Sequence, residues 1–255
     1  MIRFAVPLAL LLGVLSSGTA SANLIRDEHA CDPAPPPPVE QASLQEILDD
    51  LVVSGPPIDA NAPSGFEIFE PSSSPMTSQM VFTIPREGLN MAFGIYDADD
   101  PGSKVWLFST PFTIGASMTV SFLADGQISV SNGYHSRTFG GIDGPFGFFV
   151  KTWEDHQEAV FVFTDADLNG GETRAKVFQG NDQTRLELPG LRPGLFLESQ
   201  FLIAWELGLG SENDGAFDDL LASVSAITPL PEPGALALVG IAVVALARMR
   251  RARGY

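Results

Sequence analysis

From Phe66 onward the apolar residues of this 255-residue chain recur at every second position, in short runs broken by turn formers. Gln79-Met-Val-Phe-Thr-Ile84, Asn90-Met-Ala-Phe-Gly-Ile-Tyr96, Lys104-Val-Trp-Leu-Phe108, Ser117-Met-Thr-Val-Ser-Phe-Leu123 and Gln127-Ile-Ser-Val-Ser131 are such runs, and Pro, Gly, Asn and Asp lie between them. Further runs cover residues 146–152, 159–164, 174–179, 184–188, 201–206 and 220–227. Alternation at this period lines one face of an extended strand with apolar side chains, so each run reads as a strand half-buried on one side. No segment of helical period separates them, which argues against parallel βαβ units. An all-β domain is expected, built as an antiparallel two-sheet sandwich, jelly-roll-like or immunoglobulin-like. Asp125-Gly126 between two runs carries the signature of a two-residue type I′ hairpin, since both turn positions need positive φ.

One helix is expected ahead of the strands. Ser43-Leu-Gln-Glu46 has the spacing of a capping box, and Leu44, Ile47, Leu48 and Leu51 share one helical face over roughly residues 43–51. Gly55-Pro56-Pro57 stops it, and Leu51-Val52-Val53 as a strand is the alternative. Asp32-Pro-Ala34 and the run Pro35 to Pro38 form a polyproline spacer that cannot pack a core.

The two ends follow different rules. Met1-Ile-Arg3, the apolar run from Phe4 to Val14 and Ala20-Ser-Ala22 have the layout of an export signal cleaved before Asn23. At the other end, Gly234 to Ala247 contains no charged side chain and stops against Arg248, Arg250, Arg251 and Arg253. That is the pattern of a C-terminal transmembrane helix with its basic flank on the cytoplasmic side. As a helix, its apolar core would span only ~20 Å of a ~30 Å hydrocarbon layer. The expected organisation is a signal peptide at 1–22, a Pro-rich linker at 23–42, a β domain with its leading helix at 43–228, and a terminal segment at 229–255.

Charge excludes one class of partner. The whole chain carries 14 basic and 31 acidic residues, and its ends hold five of the former and one of the latter, so the middle stands near −21. Without a basic patch to neutralise phosphates, nucleic acid is not an expected partner. Cys31 is the single cysteine, so no intramolecular disulfide is available despite the oxidising destination.

Pro231-Glu232-Pro233, the short apolar run and the arginines together resemble a PEP-CTERM tail, the sorting signal of secreted Gram-negative proteins that an exosortase reads. The resemblance implies an exported precursor held at the inner membrane, loss of the apolar tail, and delivery to the cell surface or the exopolysaccharide matrix. The middle also resembles an uncharacterised, β-rich domain of such surface proteins. The likeness rests on Ser43-Leu-Gln-Glu-Ile-Leu48, Phe93-Gly-Ile-Tyr-Asp97, Phe146-Gly-Phe-Phe149, Arg174-Ala-Lys-Val-Phe-Gln-Gly180, Phe201-Leu-Ile-Ala-Trp-Glu206 and Asp214-Gly-Ala-Phe-Asp-Asp-Leu220. That family's acidic closing motif carries Asp where this chain has Leu207, a carboxylate at Ala216 and Asn at Asp218, so a cation site inferred from it departs from the pattern there.

Two groups of oxygen donors are candidate calcium sites. Asp165-Ala-Asp167-Leu-Asn169-Gly170 repeats the first half of a calcium loop, with side-chain oxygens at positions 1, 3 and 5 and Gly at 6; position 12 is Lys176, so Glu172 or another strand would have to complete the shell. An ordinary Asp/Asn/Gly turn is the alternative. Glu206 with Asp214, Asp218 and Asp219 forms the second group, whose alternative is a solvated acidic loop. Asp97-Ala-Asp99-Asp100-Pro-Gly102 reads as a polar hairpin loop. Catalysis finds little footing: His29, His135 and His156 are scattered, no Gly-x-Ser-x-Gly elbow or His-Glu-x-x-His helix occurs, and a polysaccharide hydrolase would need two carboxylates that abundance alone does not select. His135, beside Tyr134 and Arg137, reads as a surface turn residue. Trp106 and Trp205 lie in apolar runs and are expected in the core, whereas Trp153 is expected to be exposed and available for stacking on sugar rings. The expected function is that of a non-enzymatic surface or matrix protein, with a calcium-dependent carbohydrate-binding module as the alternative.

Overall fold

The computed structural model describes residues 42–71, 76–83, 89–110, 114–123, 126–142, 144–154, 159–208 and 215–230, with backbone only at 76–83, 89 and 154. The export signal, Cys31, the polyproline spacer, Asp125, His156, Asp214 and the entire terminal segment from Pro231 lie outside them. Among the described residues no helix is long and apolar enough to cross a membrane.

The chain is mostly β-strand in antiparallel sheets, with one short α-helix. In order the elements are α1 (Leu44–Leu51), β1 (Val52–Ser54), β2 (Phe69–Pro71), β3 (Met76–Thr83), β4 (Leu89–Asp97), β5 (Lys104–Ser109), β6 (Ser117–Phe122), β7 (Gln127–Ser131) and β8 (Ser136–Gly140). They continue as β9 (Phe146–Glu154), β10 (Val160–Phe163), β11 (Ala175–Gln179), β12 (Arg185–Leu186), β13 (Gly194–Leu195), β14 (Gln200–Trp205), β15 (Leu220–Ser225) and β16 (Ile227–Pro229). A seven-stranded sheet runs β11-β14-β15-β3-β6-β7-β8, and a six-stranded sheet runs β16-β2-β9-β4-β5 with β10 also on β9. The third sheet, β1-β12-β13, was not expected; its strands are two or three residues long, too short for a period to register.

The principal core draws on both large sheets. Phe93, Ile95, Phe146, Phe148 and Val150 from the six-stranded sheet join Val120, Ile128, Val177, Phe201, Ile203 and Trp205 from the seven-stranded one. Phe93 and Phe148 stack at 5.7 Å, and Trp205 meets Phe93 edge-on at 6.2 Å. The alternate residues of β14, Leu202 and Ala204, belong to a second cluster with Phe178, Leu221 and the helix residues Leu44, Ile47, Leu48 and Leu51. Thus β14 is buried on both faces because the helix covers the sheet face opposite the principal core. The capping box forms: Ser43 Oγ accepts from Glu46 N–H (3.4 Å) and Glu46 Oε2 accepts from Ser43 N–H (2.8 Å). Both the helix and the strand alternative at its end exist, because β1 begins at Val52 directly after Leu51.

The β6–β7 connection differs from the two-residue turn that Asp125-Gly126 suggested. Gly126 adopts φ 71°, but its N–H donates to Leu123 O (3.2 Å) while Leu123 N–H donates to Gln127 O (2.8 Å), so three residues separate the paired ends. Three-residue hairpins also require a left-handed residue, and the same dipeptide serves both.

Two glycines set the outer face of the six-stranded sheet. Gly94 pairs with Phe149 and Gly147 with Tyr96 across β4 and β9, so each aromatic ring lies over the glycine opposite. A Cβ on Gly94 would come within 2.8 Å of the Phe149 ring, and one on Gly147 would overlap the Tyr96 ring. A side chain at either glycine would lift the aromatic layer off the sheet.

Candidate functional site

Four of the residues expected to hold calcium, Asp165, Asn169, Glu206 and Asp219, bond to backbone groups. At the end of β10, Asp165 Oδ1 accepts from Asp167 N–H (2.8 Å), opening a single 3-10 turn, Asp167–Asn169, which Gly170 ends at φ 73°. Asn169 reaches back to Phe163 twice, its Oδ1 accepting from the N–H (2.9 Å) and its Nδ2 donating to the carbonyl (2.8 Å). Both polar atoms of Asn169 are thereby engaged, and Glu172 pairs with Arg174 at 3.1 Å instead of turning to the loop. In a calcium loop the side-chain oxygen at position 5 would face the cation, whereas that of Asn169 accepts from the Phe163 N–H.

In the second group Glu206 and Asp218 are buried. Glu206 Oε1 accepts from Gly208 N–H (3.3 Å) and Oε2 from Phe217 N–H (3.1 Å), while Asp219 Oδ2 accepts from Leu207 N–H (2.6 Å). These carboxylates close the connection between β14 and β15 on its own backbone. Among the described residues no three His, Cys, Asp or Glu side chains gather as a metal site; Asp214 lies outside them. Asp97 Oδ1 caps a polar hairpin loop by accepting from Asp99 N–H (2.8 Å) and Asp100 N–H (3.1 Å), as its spacing suggested.

The tryptophans redistribute. Trp205 is fully buried, as expected, and Trp153 is half-buried. Trp106 is 38% exposed, against the expectation of a core residue. A bulge between Phe93 and Gly94 pairs Phe93 with Phe108 and Gly94 with Trp106, leaving Leu107 as the extra residue of β5. Leu107 and Phe108 both turn to the core, and Trp106 takes the opposite face.

On that face Trp106 begins a continuous aromatic layer. It meets Phe149 edge-on at 4.8 Å and Phe161 at 6.2 Å; Phe161 and Phe163 stack at 6.2 Å, and Phe163 meets Tyr96 at 5.2 Å. Phe161 is 37% exposed. Two of the chain's three lysines join this layer. Lys151 Nζ lies 5.8, 5.4 and 5.4 Å from the ring centres of Trp106, Trp153 and Phe161, and Lys104 Nζ lies 5.2 and 5.4 Å from those of Phe161 and Phe163. Partial burial pulls the Lys104 ammonium below the ordinary lysine range, while Asp100 opposes that shift. Burial, and secondarily the Asp165 carboxylate, pushes the Tyr96 phenol up, while the Thr164 side chain and the Asp165 backbone beside its hydroxyl oppose that rise without forming a well-aligned hydrogen bond.

Trp106 also borders a groove of about 730 Å³ between β5, an edge of the six-stranded sheet, and β8, an edge of the seven-stranded one. Its lining includes Phe108, Met118, Tyr134, His135, Arg137 and Phe139. Asn132 sets the tip of the β7–β8 hairpin: its Oδ1 accepts from Tyr134 N–H (3.0 Å) and His135 N–H (2.8 Å). Tyr134 is 92% exposed. Period alone could not reveal this groove, because it joins strands from two sheets; the cluster Tyr134-His135-Ser-Arg137 was its only trace in the sequence. No family model, no curated protein and no solved structure matches this chain.

Proposed function

We propose that this chain is an exported, non-enzymatic protein of the cell surface or exopolysaccharide matrix, sorted by an exosortase that reads Pro231-Glu232-Pro233. The observation that carries this reading is the pairing of an export signal at 1–22 with a terminal segment in which Pro-Glu-Pro, a short apolar run and Arg248, Arg250, Arg251 and Arg253 follow one another. In this reading the apolar run holds the precursor at the inner membrane as a helix and the arginines stop translocation. Its short span suits a temporary address better than a lasting anchor. The two large sheets then act as the layers of an antiparallel sandwich displayed outside the cell. Deleting residues 234–255 in a host that carries an exosortase is expected to release the protein in soluble form from the moment of export. Identical partitioning of the full chain and the truncation would sink this reading.

A second reading, a carbohydrate-binding module of the same matrix, is favoured by the exposed rings of Trp106 and Phe161, since aromatic rings displayed together on a sheet face are unusual without a ligand or partner to cover them. Calcium dependence of such a module would require Asp165 and Asn169 to turn oxygens from backbone N–H groups toward a cation shared with Asp167, or Glu206 and Asp219 to do so toward one shared with Asp214 and Asp218. A rise in thermal midpoint with millimolar calcium is the test of that dependence.

A further inference from the structure

We propose that the groove between β5 and β8 binds an acidic polysaccharide, a chain of uronic acid sugars, with Trp106 and Tyr134 stacking on sugar rings and Arg137 pairing with their carboxylates. The inference rests on the carbohydrate-binding reading and assigns it a site and a ligand chemistry.

The first support is charge. The chain has a formal net charge of −17 and 31 acidic residues, yet the described residues lining the groove include Arg137 and His135 and no carboxylate. Arg137 is exposed and makes no ion pair among the described residues. A local positive field in an acidic protein attracts an anion, and no acidic side chain in the described lining competes for Arg137. The guanidinium fork matches a carboxylate in geometry as well as charge.

The second support is the form of the apolar surface. Trp106 and Tyr134 are displayed on opposite strands of the groove, on β5 and on the β7–β8 hairpin, where flat rings can receive the C–H faces of successive sugars. Beyond Trp106 the positive strip continues outward through Lys151, which touches three rings of the outer layer. Aromatic faces alternating with cations suit a polymer that alternates apolar ring faces with carboxylates. A neutral glycan would leave the cations unused, and an acidic peptide would leave the rings without flat partners.

The test is binding of the full-length chain, in non-ionic detergent, to polygalacturonate, to its fully methyl-esterified form, to dextran and to poly-glutamate, read by affinity electrophoresis and calorimetry. Polygalacturonate is expected to bind, the ester and dextran to bind at least roughly tenfold more weakly, and poly-glutamate not to compete. Arg137→Gln and Tyr134→Ala, both at exposed positions, are each expected to weaken binding roughly tenfold without moving the thermal midpoint. Trp106→Ala should weaken it further, and Trp106→Phe should restore part. Equal binding of poly-glutamate would reduce the site to ion exchange and overturn the proposal. Tight binding of dextran or the ester, unaffected by Arg137→Gln, would overturn the acidic ligand while leaving a carbohydrate-binding module standing. Polygalacturonate binding that survives both surface variants would overturn the groove as its site. Failure of every polysaccharide to bind would overturn the proposal together with the reading beneath it.

Discussion

Replacing Glu206 tests whether the acidic closing loop is a backbone clamp or a cation site. The side chain is 2% exposed, and its two oxygens accept from Gly208 N–H and Phe217 N–H. Phe217 sits in the left-handed region at φ 58°, a conformation that a non-glycine residue keeps only when its surroundings hold it there. Glu206→Ala strands both donors, each worth about 1.5–3 kcal/mol when the lost acceptor is charged. Relief of a buried carboxylate's desolvation offsets part of this, so a net loss of about 3 kcal/mol is expected. At roughly 2–4 °C per kcal/mol for a domain of this size, the thermal midpoint should fall by roughly 6–12 °C. Glu206→Gln keeps one acceptor but presents an NH2 group to the other donor, and should fall between the variant and the parent. The assay is thermal unfolding of the full-length chain in non-ionic detergent, followed by near-ultraviolet circular dichroism, with and without EDTA. An alanine variant melting within 2 °C of the parent would refute the clamp. If EDTA lowers the parent's midpoint and leaves the variant's unchanged, the carboxylate serves a cation instead.

Three other expectations follow from the packing. Tyr96→Phe removes a buried hydroxyl that makes no well-aligned hydrogen bond to the neighbouring Thr164 side chain and Asp165 backbone, and should change stability by no more than about 1 kcal/mol. Because the folded phenol is raised above its unfolded value, its contribution is complete below about pH 10 and is lost as pH rises beyond it; the variant's denaturant midpoint should therefore fall less steeply on the alkaline side. Gly147→Ala drives a methyl group into the Tyr96 ring and should destabilise by about 1–3 kcal/mol in urea unfolding, with Tyr96→Leu in the same chain restoring most of the loss. Leu48→Ala, at a fully buried helix position, should cost about 2–5 kcal/mol, and an undiminished midpoint would show that the helix does not cover the seven-stranded sheet.

Much of the strand inventory was legible because burial on one face imposes period two wherever a strand exceeds about five residues. β4, β5, β9 and β14 stand where their runs lie. β8 escaped notice because Ser136-Arg-Thr-Phe-Gly140 is an exposed edge with little apolar contrast. The candidate calcium sites were legible only as composition, since Asp, Asn and Gly serve turns and cations alike; the hydrogen bonds between Asn169 and Phe163 that build the turn join residues the composition could not pair. Trp106 was misplaced because Val105-Trp-Leu-Phe108 is apolar throughout and does not itself say which alternate side chains face the core; Val105 and Leu107 do, Trp106 takes the other face, and the bulge then returns Phe108 to the core.

The sequence by itself determined the β class, the capped helix at Ser43 and the pattern of the two ends, because each depends on periods, caps or charges that are local along the chain. Tertiary structure alone decided that β5 and β8 face one groove, that Trp106 lies outside the core, and that Arg137 stands among aromatic residues without a carboxylate in the described lining. Those features depend on which edge of each sheet meets the other and on which face of β5 is turned to the core, relations between residues distant in sequence that no local signal carries.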